Sequence, residues 1–130
     1  MKINHADLWR EGKYVDMWSI PHVLCGVILV GIFCYFRVEF WPNLILSTLI
    51  MVGWEFFELY VLDVHEYLTN KIMDIVTGLF GFFIMFALIL IFGIKTMLPW
   101  LMAVIIIWLV LNYWGFKAHK TRVDSKNIVQ

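Results

Sequence analysis

Three carboxylates and one imidazole stand inside runs that are otherwise apolar: His22 in the first run, Glu55 and Glu58 in the second, and Asp74 at the start of the third. A charged side chain at the centre of a membrane helix costs at least ~2.5–3.5 kcal/mol on insertion scales, so each of these residues needs a reason to be there. As a set they could hold a divalent cation such as Zn, Mn or Fe. Alternatively, a glutamic acid kept protonated by its surroundings could act as general acid with His22 as base. His22, Glu55, Glu58 and Asp74 are therefore candidates both as catalytic residues and as metal ligands. His65 and Glu66, in the loop DVHEYLTNK, are peripheral candidates, with Asn70 as a helix cap ahead of the third run. Asn112 places a polar group at the same end of the fourth run.

Each residue also has a plainer role. His22 is near a helix start, where an imidazole can simply be hydrogen-bonded. Asp74 suits a helix N-terminus through the dipole. Glu55 and Glu58 are harder to dismiss, because they lie three residues apart and share one helix face, with Thr48 two turns away on the same stripe. His22 shares a face with Gly26, and Asp74 with Gly78 and Gly81; glycines let helices approach closely, so these faces are expected to point at one another.

The elements that must position these groups are membrane spans. Of 130 residues 62% are hydrophobic and 15% charged, with a formal net charge of zero. The mean hydropathy is +0.83. That composition excludes a disordered chain, a nucleic-acid binder and an ordinary soluble enzyme. Four runs are long enough to cross a ~30 Å hydrocarbon core: 18–36, 43–62, 72–94 and 98–116. They lack strand alternation, and helices are the open-ended way to satisfy backbone groups in lipid. Links at 37–42 and 95–97 are short, which predicts antiparallel neighbours in an all-α, up-down four-helix bundle. Pro21, Pro42 and Pro99 fit at helix starts. The tryptophans cluster near span ends as interfacial anchors.

The charges give orientation. Lys2, Arg10, Lys13, Lys71, Lys117, Lys120, Arg122 and Lys126 fall on one side, and Arg37 and Lys95 on the other. The positive-inside rule then puts both termini in the cytoplasm, with 1–17 an interfacial segment and 117–130 a basic tail. A short surface helix around 6–13 is a further expectation. The start of the chain shows no signal-peptide pattern. Cys25 and Cys34, nine residues apart on one helix, lie about 13 Å from each other, too far to pair.

The order His22–Gly26, then Glu55-x-x-Glu58, then Asp74-x-x-x-Gly78-x-x-Gly81 resembles the VanZ-like family of small bacterial integral membrane proteins. The resemblance covers roughly 18–81. Trp18 stands where that pattern has an Asp before the His, Glu58 replaces Gln, Gly78 replaces Asn, and no Arg lies between Glu58 and Asp74. The resemblance implies a bacterial cytoplasmic (inner) membrane protein and no defined reaction.

The expected function is a site in the cytoplasmic half of the bundle that binds or modifies a lipid or glycolipid-type amphiphile, with a divalent metal as the candidate cofactor. Two alternatives stay open. One is a small proton-coupled multidrug-type transporter working through intramembrane glutamates, as a homo-oligomer. The other is a structural or regulatory subunit in which the cluster locks the bundle and Gly26, Gly78 and Gly81 serve packing.

Overall fold

A computed structural model describes residues 8–10, 12–62 and 64–127, the last five as backbone alone. Four helices make up the described chain, with no strand among those residues: α1 Ser19–Tyr35, α2 Phe40–Tyr60, α3 Leu68–Phe92 and α4 Ile94–Asn127. Helices α2, α3 and α4 are long and apolar enough to cross a membrane. Helix α1 is equally apolar but has 17 residues, a length of about 25 Å.

Each helix fully buries a narrow stripe and leaves the rest half-buried or exposed. On α1 the stripe includes Ser19, His22, Gly26 and Val30. On α2 it is Asn43, Ser47, Met51, Glu55 and Glu58. On α3 it is Asn70, Asp74, Gly78, Gly81, Phe82 and Met85. The steps of three and four residues are the helical period read as packing. Outside the stripes, Leu49, Phe80, Leu90, Ile91 and Val110 are among many large apolar side chains left exposed. Polar residues in the stripes and apolar ones outside reverse the soluble pattern and suit a lipid solvent.

Helix α1 packs on all three others, most extensively on α3, while α2 and α4 do not pack on each other. The α1–α3 contact is built on glycine. A Cβ at Gly26 would overlap the Gly78 carbonyl, and one at Gly81 would overlap the Val23 carbonyl. Backbone therefore lies directly on backbone, the arrangement small residues permit in membranes. Farther along, Val30, Phe82, Met85, Met97 and Leu101 form an apolar core.

The turn from α1 to α2 is a Schellman motif. Val38 N–H donates to the Phe33 carbonyl at 2.9 Å and Arg37 N–H to the Cys34 carbonyl at 3.0 Å. Arg37 occupies the left-handed position, at φ 60°. The α3–α4 link is the single residue Gly93, at φ 78° and ψ 149°.

Several expectations need correction. The segment 95–97 is helical, so Pro99 lies inside α4 rather than at its start. The helix also runs through Lys117 and Lys120 to Asn127, so most of the basic segment 117–130 is helical. Asn70 is no cap: Tyr67 holds the N-cap position, and Asn70 is fully buried in the first turn. Trp9 and Trp18 pack inside the protein, at 0% and 7% exposure, whereas Trp41 and Trp100 are exposed. Trp9 stacks edge-on against Trp18 and Trp114, and its carbonyl accepts the Trp18 indole N–H at 3.1 Å. Thr48 is half-buried and bonds its own helix at the Leu44 carbonyl; Ser47 holds the place expected for it. The helix expected over 6–13 lies partly outside the described residues, and Leu8–Arg10 is not helical. Cys25 and Cys34 are both free thiols.

Candidate functional site

Three helices bring the expected residues together at one end of the molecule. His22 enters from the first turn of α1, Glu55 and Glu58 from the last two turns of α2, and Asp74 from the second turn of α3. All four are buried, none more than 6% exposed. His22 stands between two carboxylates: its Nε2 is 3.2 Å from Glu55 Oε1, and its Nδ1 is 3.7 Å from Asp74 Oδ1. The Trp18 carbonyl faces Nδ1 at 2.9 Å.

The carboxylates differ in how they are satisfied. Glu58 Oε1 accepts the Trp54 indole N–H at 2.8 Å. Asp74 Oδ1 accepts the Ser19 hydroxyl at 2.8 Å, and Oδ2 accepts from Asn70 Nδ2 at 3.3 Å. Among the described residues, neither oxygen of Glu55 has a hydrogen-bond partner, and neither does His22 Nε2. That pair is close enough to attract as ions but lies off the directions a hydrogen bond requires.

A second polar network lies on the outer side of Asp74. Asn70 Nδ2 is 3.3 Å from each of Asp16 Oδ2, Glu66 Oε2 and Asp74 Oδ2. Asp16 also accepts the backbone N–H of Gly12 at 2.7 Å and of Trp18 at 2.8 Å, which ties the chain ahead of α1 to α3. Partial burial first, and repulsion from Glu58 next, push the Glu66 carboxyl up to about 7. Of the two peripheral candidates, Glu66 joins the polar end, and His65 is exposed.

Because α2 and α4 stand apart, a cavity of about 200 Å³ opens between them over α1. Its walls are Pro21, Cys25, Ile28 and Leu29 from α1, Ile50, Met51 and Trp54 from α2, and Trp108 from α4, with Trp18 beside them. His22, Glu58 and Asn112 supply its polar lining. Asn112 donates to the Trp108 carbonyl at 2.8 Å, on its own helix. The arrangement can seat a molecule with an apolar body and a polar end.

Sequence reasoning locates the ionisable groups and the glycines but passes over Ser19, Trp54, Asp16 and the buried role of Asn70. It also misses Asn43, which is fully buried at the other end of α2, accepts the Ser47 hydroxyl at 3.2 Å and points its amide at Val30 and Cys34 of α1. A usable signal exists, since Asn43, Ser47 and Met51 continue the Glu55 stripe at steps of four. No family model, curated protein or solved structure matches the chain.

Proposed function

We propose that the protein is a four-span integral membrane protein that binds a lipid or glycolipid-type amphiphile in the cavity between α2 and α4. The spans form an up-down bundle with both termini cytoplasmic. The observation that carries this reading is the cavity itself: apolar walls from three helices end on His22, Glu58 and Asn112. A polar headgroup would meet those three residues, and an acyl or prenyl chain would lie along Ile28, Leu29 and Ile50. The charge bias of the loops supports the orientation, and puts the polar end at the cytoplasmic leaflet. The VanZ-like resemblance rests on the sequence pattern alone. Proton-coupled transport is the weaker reading, because a transport site belongs near the midplane and this cluster sits at one end.

The test uses a photoactivatable lipid incorporated into membranes that hold the chain. Crosslinks mapped by mass spectrometry are expected at Ile28, Leu29 and Ile50. A cavity-filling Leu29→Trp substitution should reduce them several-fold while leaving labelling of the outward Leu49 unchanged. Labelling spread evenly over Leu49, Val110 and the cavity wall, insensitive to Leu29→Trp, would sink the proposal.

A further inference from the structure

We propose that His22, Glu55 and Glu58 together hold one divalent transition-metal ion, through His22 Nε2 and one oxygen of each carboxylate. The site does not depend on what fills the cavity. One donor atom from each of the three residues lies within 4.8 Å of the others, and His22 Nε2 and Glu55 Oε1 are already 3.2 Å apart. Ligands bound to one ion at ~2.0–2.2 Å sit roughly 3–4 Å from each other. Closing the set therefore takes rotation about the last side-chain bond of a glutamate, a torsion with a broad minimum.

The second observation is the unmet polar atoms. The three residues are 6%, 6% and 5% exposed, and among the described residues His22 Nε2 and both Glu55 oxygens have no hydrogen-bond partner. A buried carboxylate left unpaired is costly. The Trp18 carbonyl at 2.9 Å from Nδ1 selects the tautomer with its proton on Nδ1. Nε2 then faces Glu55 Oε1 at 3.2 Å, and the gap is filled either by a proton, which makes the two an ion pair, or by a metal ion, which takes the lone pairs of both. A backbone carbonyl on the distal ring nitrogen is also the usual orienting partner of a metal-bound histidine. On the other side, the Trp54 indole fixes the Glu58 carboxylate through one oxygen.

Charge points the same way. Glu55, Glu58 and Asp74 are all buried, and among the described residues a protonated His22 is the one cation that Glu55 and Asp74 would share, one positive charge for three carboxylates. A divalent ion with two carboxylates and a neutral imidazole is electrically neutral, the least costly state in lipid. Mixed nitrogen and oxygen donors suit Zn²⁺, Mn²⁺ or Fe²⁺. They do not favour Ca²⁺ or Mg²⁺, which take oxygen, or Cu⁺, which takes sulfur. Three protein ligands leave a coordination position open. His22 and Glu58 both line the cavity, so a cavity-bound headgroup could reach it.

The experiment uses the untagged full chain in mild detergent, stripped with chelator and titrated with Zn²⁺, Mn²⁺ and Co²⁺. At least one ion should bind at one per chain, and Co²⁺ should show the visible bands of nitrogen and oxygen ligation. His22→Ala and Glu55→Gln should each weaken binding by about tenfold or more. Leu49→Ala, on the outward face of α2, should leave it unchanged. The proposal fails if no ion binds more tightly than about 1 mM, or if binding persists undiminished in both ligand variants. Should those variants not fold, a His5→Ala/His65→Ala/His119→Ala chain leaves His22 as its one imidazole. Imidazole-nitrogen coupling to bound Mn²⁺ in pulsed EPR of that chain supports the site, and its absence overturns it.

Discussion

At the residue scale, His22, Glu55, Glu58 and Asp74 are legible because an ionisable group in an apolar run stands out against its neighbours. Their partners are not. Ser19, Asn70 and Trp54 are residue types that helix ends and membrane interfaces use routinely, and only the fold shows that Ser19 and Asn70 serve Asp74 and that Trp54 serves Glu58. Glu66 lends itself to a test of this network. Its folded-state carboxyl is pushed up to about 7, above the ordinary value near 4.3 that it takes in the unfolded chain. Between those two values the folded state binds the proton more tightly, so the carboxylate's penalty grows as pH rises and is complete above about 7. Glu66→Gln removes the charge while its amide oxygen can still accept from Asn70. Thermal unfolding in detergent should show the variant more stable than the native chain at pH 8 and indistinguishable from it below about pH 4.5. A difference that does not change with pH would place Glu66 outside the acidic network.

At the element scale, helix existence is readable from hydropathy, and helix ends are less so. Hydropathy ends the third span at 94 and begins the fourth at 98; the structure ends α3 at Phe92 and starts α4 at Ile94. The signal is Gly93, whose φ of 78° with ψ of 149° only glycine tolerates easily. Apolar runs on both sides hide it, because Lys95 and Pro99 attract the boundary instead. The glycine contact between α1 and α3 can be tested against an internal control. A methyl at Gly26 would have to displace the α3 backbone at Gly78, so Gly26→Ala should destabilise the bundle by about 1–3 kcal/mol or more. Gly53 lies in α2, where an added methyl would meet nothing within 4 Å, and Gly53→Ala should be neutral or stabilising by up to about 1 kcal/mol. Melting temperatures of the two variants beside the native chain decide it: equal effects would show that the α1–α3 contact does not carry the fold.

At the scale of the whole molecule, the unequal helix lengths bear on how the chain sits in a bilayer. Helix α4 has 34 residues, about 51 Å, more than the hydrocarbon core requires, and it carries Lys117, Lys120 and Arg122 toward its C-terminal end. In the orientation proposed above, that basic end can reach anionic headgroups on the cytoplasmic face. Helix α1, at about 25 Å, falls short of a ~30 Å core. It packs on all the others, most extensively on α3, so protein rather than lipid surrounds much of it, and a modest local thinning would close the gap. The orientation proposed from the charge bias then makes a prediction that also tests whether α1 crosses. A reporter that matures only in the cytoplasm, fused after Gln130, should be active, and one fused after Glu39 should be silent. The reverse pattern would invert the molecule and place the His22–Glu55–Glu58 cluster at the outer leaflet. Activity at both points would mean that α1 does not cross the membrane in the fusion, against the four-span reading.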